Sequence, residues 1–255
     1  MAESIDIGKA FSHMFEDEDW TTKTIVGAVL SIIPIVNFIV IGYELRLIRN
    51  VSKGEARPMP GWEDMGDLFT EGLQLGLARI VITLPIVVIV VFPMFAFIFS
   101  IFFLPLFAGS ASEAEIERMI GAFMGLGMLG MFGCIGVGML FSLLLGFVLP
   151  SVTANFSRKR TFVSCFEAGE ILGFIRRNFS NYFMVWIASI LAGVLFSFIY
   201  LFINFIPCVG SLLAIPASAA GIFFIYMVSG HALGQAVALD ALDSQQPGGP
   251  AQLSA

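Results

Sequence analysis

Residues 119–150 read MIGAFMGLGMLGMFGCIGVGMLFSLLLGFVLP and contain no Asp, Glu, Lys, Arg or His. As a helix rising about 1.5 Å per residue, this stretch exceeds the roughly 30 Å thickness of a bilayer's hydrocarbon core. Eight of its residues are glycine, which would disfavour a helix in water. In lipid the backbone must satisfy its own hydrogen bonds, and glycine lets neighbouring helices approach closely. The stretch therefore predicts a central membrane-spanning helix with packing partners on two sides.

The rest of the chain has the composition of membrane helices. It contains 255 residues, of which 58% are hydrophobic and 13% are charged, and its mean hydropathy is +0.92. Soluble domains carry about a quarter charged residues. We therefore predict an all-α fold, a polytopic helical membrane protein with about five transmembrane helices in one membrane domain, residues 1–239. The uncharged runs place these spans at about 24–45, 80–106, 120–149, 181–204 and 211–238.

The first run, residues 24–43, has two interpretations. Pro34 and Asn37 interrupt it near its middle. Proline removes a backbone donor and breaks or kinks a helix. The run is either one kinked span, which we prefer, or a re-entrant hairpin of two short half-helices. A hairpin would put both ends of the run on the same side of the membrane. With five spans the N-terminus is external, whereas with a hairpin it is cytoplasmic.

Three segments combine apolar residues at helical spacing with charges, which is typical of amphipathic helices at a membrane surface. They are residues 4–19, 62–78 and 164–178. The acidic run at 16–19 reads as a solvated turn. The tail, residues 240–255, is polar and carries Pro and Gly, so we expect it to be disordered.

Basic residues predict the orientation. Ten of the thirteen Lys and Arg residues lie in two connectors, residues 44–79 and 151–180. The positive-inside rule places both connectors and the C-terminus in the cytoplasm and residues 108–117 outside. We therefore expect a multi-pass protein of the cytoplasmic membrane. An N-terminus without a basic region before an apolar core does not read as a secretory signal.

The first third of the chain carries a specific pattern of residues. It comprises Phe15-Glu16-Asp17 with Trp20 and Lys23, Ile33-Pro34-Ile35-Val36-Asn37, Gly42-Tyr43, Arg46, Arg49, Pro60-Gly61-Trp62-Glu63-Asp64, Gly66-Asp67-Leu68-Phe69 and Gly72, to which Gly234-Gln235 near the end of the chain is added. With these residues the chain resembles a family of prokaryotic integral membrane proteins catalogued as domain of unknown function 4013. The resemblance implies a polytopic protein of the cytoplasmic membrane and supplies no activity and no functional residues.

Nothing in the sequence predicts catalysis. The uncharged runs contain no cluster of ionisable groups of the kind that an active site needs. His13 and His231 show no metal-ligand spacing, and the three cysteines are far apart and read as buried free thiols. We therefore expect no enzyme activity, cofactor or metal. Nucleic-acid binding is not expected either, because the basic clusters all lie beside spans.

Three sets of residues are candidates for contacts. The first could bind lipid headgroups or a partner protein, in addition to anchoring the spans; it comprises Arg46, Arg49, Arg158, Lys159 and Arg160. Asn37 and Asn204 could line a polar path or form interhelical hydrogen bonds. Gly125, Gly130 and Gly133 are the candidates for close helix packing in the central span.

Two functions remain open at this point. The first is a non-enzymatic scaffold or accessory subunit of a membrane complex, whose partners are membrane lipids and other membrane subunits or a second copy. The glycine-rich span and the lack of charge within the spans favour it. The second is a transporter or channel for a neutral or apolar solute or a lipid, which the proline-broken spans favour.

Overall fold

The fold comes from a computed structural model, which describes residues 4–107, 112–206 and 209–245. Every regular element in these ranges is a helix, so the all-α prediction is confirmed. Two short 3₁₀ helices are His13–Glu16 and Phe162–Phe166. The α-helices are α1 Ile7–Ser12, α2 Trp20–Ile32, α3 Phe38–Ser52, α4 Met65–Phe107, α5 Glu113–Lys159, α6 Ala168–Arg177, α7 Phe179–Asn204 and α8 Val209–Gln245.

Within the described ranges, four helices are long and apolar enough to cross a membrane, rather than the predicted five or so. They confirm a polytopic helical membrane protein. Their span-length parts are Met65–Phe99, Ala114–Lys159, Phe179–Asn204 and Leu212–Ser244.

The predicted first span is two separate helices. α2 ends at Ile32 and α3 begins at Phe38, with a turn between them. Ile33, which precedes Pro34, is extended with φ −91° and ψ 113°, because the proline ring disfavours a helical conformation in the preceding residue. Helices of 13 and 15 residues are only about 20 Å long each, too short to cross a bilayer. The preferred interpretation, one kinked span, is therefore wrong.

The described chain divides into two compact units. Unit 1 contains the described parts of residues 1–78 and 148–255, and unit 2 contains residues 79–147. In unit 1, α8 packs against α1, α2, α3 and α7. The buried core of this unit comprises Met14, Val40, Tyr43, Leu47, Met59, Leu68, Phe223 and Met227.

The helices α2 and α3 form a hairpin on α8. Lys23, near the start of α2, donates to the Met59 carbonyl (3.2 Å), and Tyr43 in α3 donates to the neighbouring Pro60 carbonyl (2.8 Å). The outer parts of both helices are therefore fastened to the same connector. This arrangement corresponds to the second interpretation of residues 24–43, two half-helices turning at residues 33–37.

Glycines bring the backbones of α3 and α4 into contact. A Cβ at Gly42 would overlap the Leu68 carbonyl, and a Cβ at Gly72 would overlap the Phe38 carbonyl. The small residues thus allow the approach that larger side chains would prevent. These close contacts lie in unit 1, outside the glycine-rich stretch.

Unit 2 comprises α4 from residue 79 to its end and most of α5. Two glycines of α5 lie against α4: Gly127 against the Phe97 ring and Gly138 against Val90. Around Gly125, Gly130 and Gly133, no described atom would lie within 4 Å of an added Cβ. The close approaches within the unit are therefore at Gly127 and Gly138, and the close helix packing predicted at Gly125, Gly130 and Gly133 is not seen among the described residues.

Two element ends differ from the predicted ones. α5 begins at Glu113, inside the segment 108–117 predicted to be external, because Glu115 caps its start: the Ser112 amide and hydroxyl both donate to the Glu115 carboxylate (2.9 and 2.8 Å). α8 continues to Gln245, so residues 240–245 are helical. Residues 246–255 of the predicted tail, and Cys208, lie outside the described residues.

Candidate functional site

The five basic residues predicted to contact lipid or a partner all form ion pairs within unit 1. Arg160 pairs with Glu71. The other pairs are Arg46 with Asp64 (2.9 Å), Arg49 with Glu71 (2.6 Å), Arg158 with Asp240 (2.8 Å) and Lys159 with Glu167 (2.5 Å). Three of these pairs each lie within one connector, Arg158–Asp240 joins the second connector to α8, and Arg160–Glu71 joins the two connectors. Contact with headgroups or a partner stays a prediction.

Two buried carboxylates are the centres of this charged layer. Glu71 is 7% exposed and accepts from both Arg49 and Arg160. Because Arg49 ends α3 and Arg160 follows α5, Glu71 joins the first connector to the second. Buried charges are costly unless they are paired, so removing Glu71 would leave two cations uncompensated.

Asp240 is the second such carboxylate. It is also 7% exposed and accepts from Arg158, Arg177 (3.3 Å) and the Asn178 amide. The Arg158 guanidinium also lies 4.8 Å from the centre of the Phe174 ring, a cation–π contact. Sequence reasoning assigned Asp240 to the disordered tail. The sequence did offer one signal that the helix bundle holds Asp240: it is the first acidic residue after a long uncharged run.

Lys159 and Glu167 form a third pair in this layer. Glu167 also accepts from the Asn155 amide (3.0 Å). These two hydrogen bonds, the one from Lys159 first, hold the pKa of the Glu167 carboxyl below its usual value. The second connector is thus tied to the end of α5 by a carboxylate that stays ionised.

The two histidines of the chain stack on each other. The rings of His13 and His231 are 4.2 Å apart with an angle of 24° between their planes, although 217 residues lie between them. His13 Nδ1 donates to the Ala10 carbonyl (2.9 Å), and burial lowers the pKa of His13 to about 4. Sequence reasoning missed this pair, because spacing along the chain does not reveal a contact between the first and last helices.

A glutamine completes this contact. The Gln235 amide group donates to His231 Nδ1 (3.0 Å) and to the Asp6 carbonyl (3.0 Å), while its oxygen accepts from the Asp6 amide (2.8 Å). In the part of the chain that the structure describes, no group of three His, Cys, Asp or Glu side chains could hold a metal. We call His13, His231, Gln235 and Asp6 the N-terminal clip, since they fasten residues 6–13 to α8.

An apolar cavity of about 500 Å³ lies beside the clip, inside unit 1. Its lining comes from α1, the 3₁₀ helix after it, α2, α7 and α8. The lining residues are Phe11, Met14, Phe15, Thr24, Leu195, Phe196, Ile199, Ala217, Ala220, Gly221 and Phe224. Thr24 is the polar member, and its hydroxyl donates to the Trp20 carbonyl of its own helix (2.7 Å). The cavity therefore offers hydrocarbon contacts and no free hydrogen-bonding group from this lining.

The residues predicted to line a polar path are not among those that line this cavity. Asn204 is exposed, and its amide donates to the Tyr200 carbonyl of α7 (2.8 Å). Asn37 lies in the turn between α2 and α3, with a buried side-chain oxygen that has no hydrogen-bond partner among the described residues. A path lined by the two stays a prediction.

A family model described as a protein of unknown function (DUF4013) matches residues 26–205, well over half of the chain. The chain belongs to the DUF4013 family. No curated protein and no solved structure matches it. The DUF4013 match extends beyond the first third, where the resemblance was specific, and includes Glu71 and all five predicted basic contact residues. The N-terminal clip and the α8 wall of the cavity lie outside it.

Proposed function

We propose that this member of the DUF4013 family is a non-enzymatic scaffold or accessory subunit of a membrane complex. The observation that carries the proposal is the exposure of unit 2. In the most hydropathic window of α4 no residue is buried, and in that of α5 only 6% are. Two long apolar helices that bury so little of themselves present broad faces to lipid or to another protein.

Glycine favours a protein on at least one of these faces. Lipid chains fit against any apolar side chain, whereas close approach of a second helix needs small residues. Gly125, Gly130 and Gly133 leave space that the described chain does not fill. Gly130 also lines an apolar groove of about 310 Å³ with Phe97, Phe123 and Cys134. Another membrane subunit, or a second copy of this chain, is the partner that such a groove suits.

The charged layer supports a structural role for unit 1. The five predicted basic contact residues are engaged with acids, and the buried carboxylates of Glu71 and Asp240 each hold two arginines. This arrangement stiffens the end of the bundle where both connectors lie. A rigid, basic end beside the membrane suits attachment of other subunits and of anionic headgroups.

The test compares three glycine substitutions in α5, with purification in mild detergent and identification of whatever protein co-purifies. Gly130→Leu should keep the unfolding temperature of the isolated chain, because nothing in the described chain occupies its space, and should lose the associated protein. Gly127→Leu should destabilise the chain itself, since its side chain would overlap Phe97. Gly146→Leu, also open but outside the groove lining, is the control. Retention of the associated protein by Gly130→Leu would contradict the proposal.

A second candidate function is transport or conduction of a neutral or apolar solute or a lipid. The apolar cavity in unit 1 favours it, because a solute of this kind needs hydrocarbon contacts along its route. Reconstitution into vesicles with a fluorescent lipid in one leaflet would measure this activity. Movement of the lipid no faster than in protein-free vesicles would contradict it.

A further inference from the structure

We propose that the apolar cavity under the N-terminal segment holds one hydrocarbon chain of a membrane lipid whose headgroup is zwitterionic rather than anionic. A stably held lipid requires neither a partner subunit nor transport, so the proposal goes beyond both functions above. It rests on the lining of the cavity, on the helices that supply it and on the charges at its edge.

The lining specifies hydrocarbon. Sites for polar ligands place a few hydrogen-bonding groups to fix the orientation of the ligand, whereas the hydroxyl in this lining, that of Thr24, is already bonded to its own helix. Water needs two to four polar partners to occupy a cavity. The cavity of about 500 Å³ is large enough for part of a hydrocarbon chain.

The helices that supply the lining place the cavity within reach of lipid. α7 and α8 are both span-length helices. On the α7 side the lining is half exposed, with Leu195 at 46% and Ile199 at 49%, whereas Met14 is only 3% exposed. The cavity thus opens along α7, where a chain could enter from the bilayer, and Met14 forms a buried part of its wall; Phe15, at 55% exposed, lies at its edge.

The charges at the edge select the headgroup. Phe15 of the lining is followed directly by four acids, residues 16–19. The basic side chains bonded to this run are Lys9, Lys23 and Arg57, so the acids outnumber them. Trp20, which packs edge-on against Phe15 with ring centres 5.2 Å apart, is an aromatic residue of the type found at the membrane–water interface. A positively charged ammonium group suits this edge, and a net negative headgroup is repelled by it.

The experiment uses the full chain in nanodiscs that contain a phosphatidylethanolamine with a photoactivatable group at the end of one acyl chain. After illumination, the labelled residues are mapped by mass spectrometry. Matched nanodiscs carry the same acyl chain on phosphatidylglycerol. Labelling should concentrate on the lining residues Phe196, Ile199 and Phe224 and should be stronger with phosphatidylethanolamine.

Three variants decide the result. Ala220→Trp and Ala217→Trp place an indole in the cavity and should lower labelling of the lining severalfold. Ile215→Trp adds the same ring to an exposed position of α8 and should not. Equal labelling in the filled variants, with their unfolding temperatures unchanged, would mean that only surrounding bulk lipid is detected and would overturn the proposal. Equal labelling by the two lipids would overturn the headgroup assignment. Co-purification of a partner protein is measured in the same samples, so failure of the scaffold proposal is seen separately.

Discussion

Glu71 and Asp240 each hold two arginines from different parts of the chain. One of these arginines, Arg160, has an unfavourable backbone conformation. Its φ of 53° is the one positive φ at a non-glycine residue in the described ranges. A left-handed conformation costs an ordinary residue about 1–2 kcal/mol. The turn after α5 therefore accepts strain at the residue that reaches Glu71.

The strain at Arg160 predicts that the relative stability of glycine and alanine variants reverses between this position and its neighbour. Arg160→Gly and Arg160→Ala both lose the ion pair, but glycine adopts the positive φ freely, so the Gly variant should be the more stable by about 1 kcal/mol. At the neighbouring Lys159, the last helical residue of α5, the order should reverse because glycine disfavours a helix. Thermal unfolding in detergent measures all four variants. If Ala is the better residue at both positions, the turn is not strained.

The buried His13 gives a second prediction, on pH. Burial lowers the pKa of His13 to about 4 from the ordinary 6.5, so the docked segment keeps the ring neutral while an undocked one binds a proton as the pH falls through 6.5. Docking should weaken as the pH falls below 6.5, by about 1 kcal/mol between pH 7 and pH 5.5. Amide hydrogen exchange over residues 7–16, corrected for intrinsic rates, measures it.

The groups around His13 determine the controls. Lys9, Glu16 and His231 face it. Hydrogen bonds from Lys9 and Ser12 hold the pKa of Glu16 below its usual value, so Glu16 stays ionised throughout this window. His13→Phe keeps a ring for the stack and should remove most of the pH dependence. Unchanged pH dependence in that variant would assign the effect to other groups.

At the scale of elements, the backbone contact between α3 and α4 predicts opposite changes in stability when two glycines of α4 are replaced by alanine. Gly72→Ala should destabilise unit 1 by about 1–3 kcal/mol, because its Cβ would overlap the Phe38 carbonyl. Gly66→Ala, with nothing within 4 Å of its Cβ, should stabilise by up to about 1 kcal/mol through helix propensity. Denaturant or thermal unfolding of the two variants checks this. A Gly72→Ala protein as stable as the parent would show that the two backbones do not touch.

Hydropathy alone predicted α4, α5, α7 and α8, because twenty or more apolar residues without charge have few alternatives to a span. The break at Pro34 was visible in the sequence, but its outcome depended on α8: the turn is stable because both half-helices pack on the same neighbour. The clip and the cavity were not predictable. Both are built from residues of the first 24 positions and of the last helices, and no local pattern signals such contacts.

At the scale of the whole molecule, four span-length helices and the α2–α3 hairpin change the expected position of the N-terminus. If all four span-length helices cross the membrane, the even number of crossings puts the two ends on one side; in unit 1 the Asp6–Gln235 bonds place the start of α1 beside the C-terminal part of α8. From the positive-inside rule, we propose that this side is the cytoplasm.

Labelling with a membrane-impermeant thiol reagent tests this topology in intact cells, on a background without native cysteines. Ser4→Cys and Lys53→Cys should be protected until the membrane is permeabilised, and Glu115→Cys should react at once. If Ser4→Cys reacts immediately while Lys53→Cys is protected, the N-terminus is external and the chain crosses the membrane five times. Immediate reaction of Lys53→Cys would reverse the orientation altogether.

The N-terminal clip also orders events in time. Asp6 and Gln235 are separated by 229 positions, and a ribosome adds about 5–20 residues per second. Residues 4–19 therefore wait roughly 10–45 s after their synthesis for the helix on which they dock. Until then, the α8 wall of the cavity is missing, and the N-terminal segment lacks the partners that fasten it. A chain that stops before α8 therefore never closes the clip, and its N-terminal segment should be cut by a protease more readily than that of the full chain.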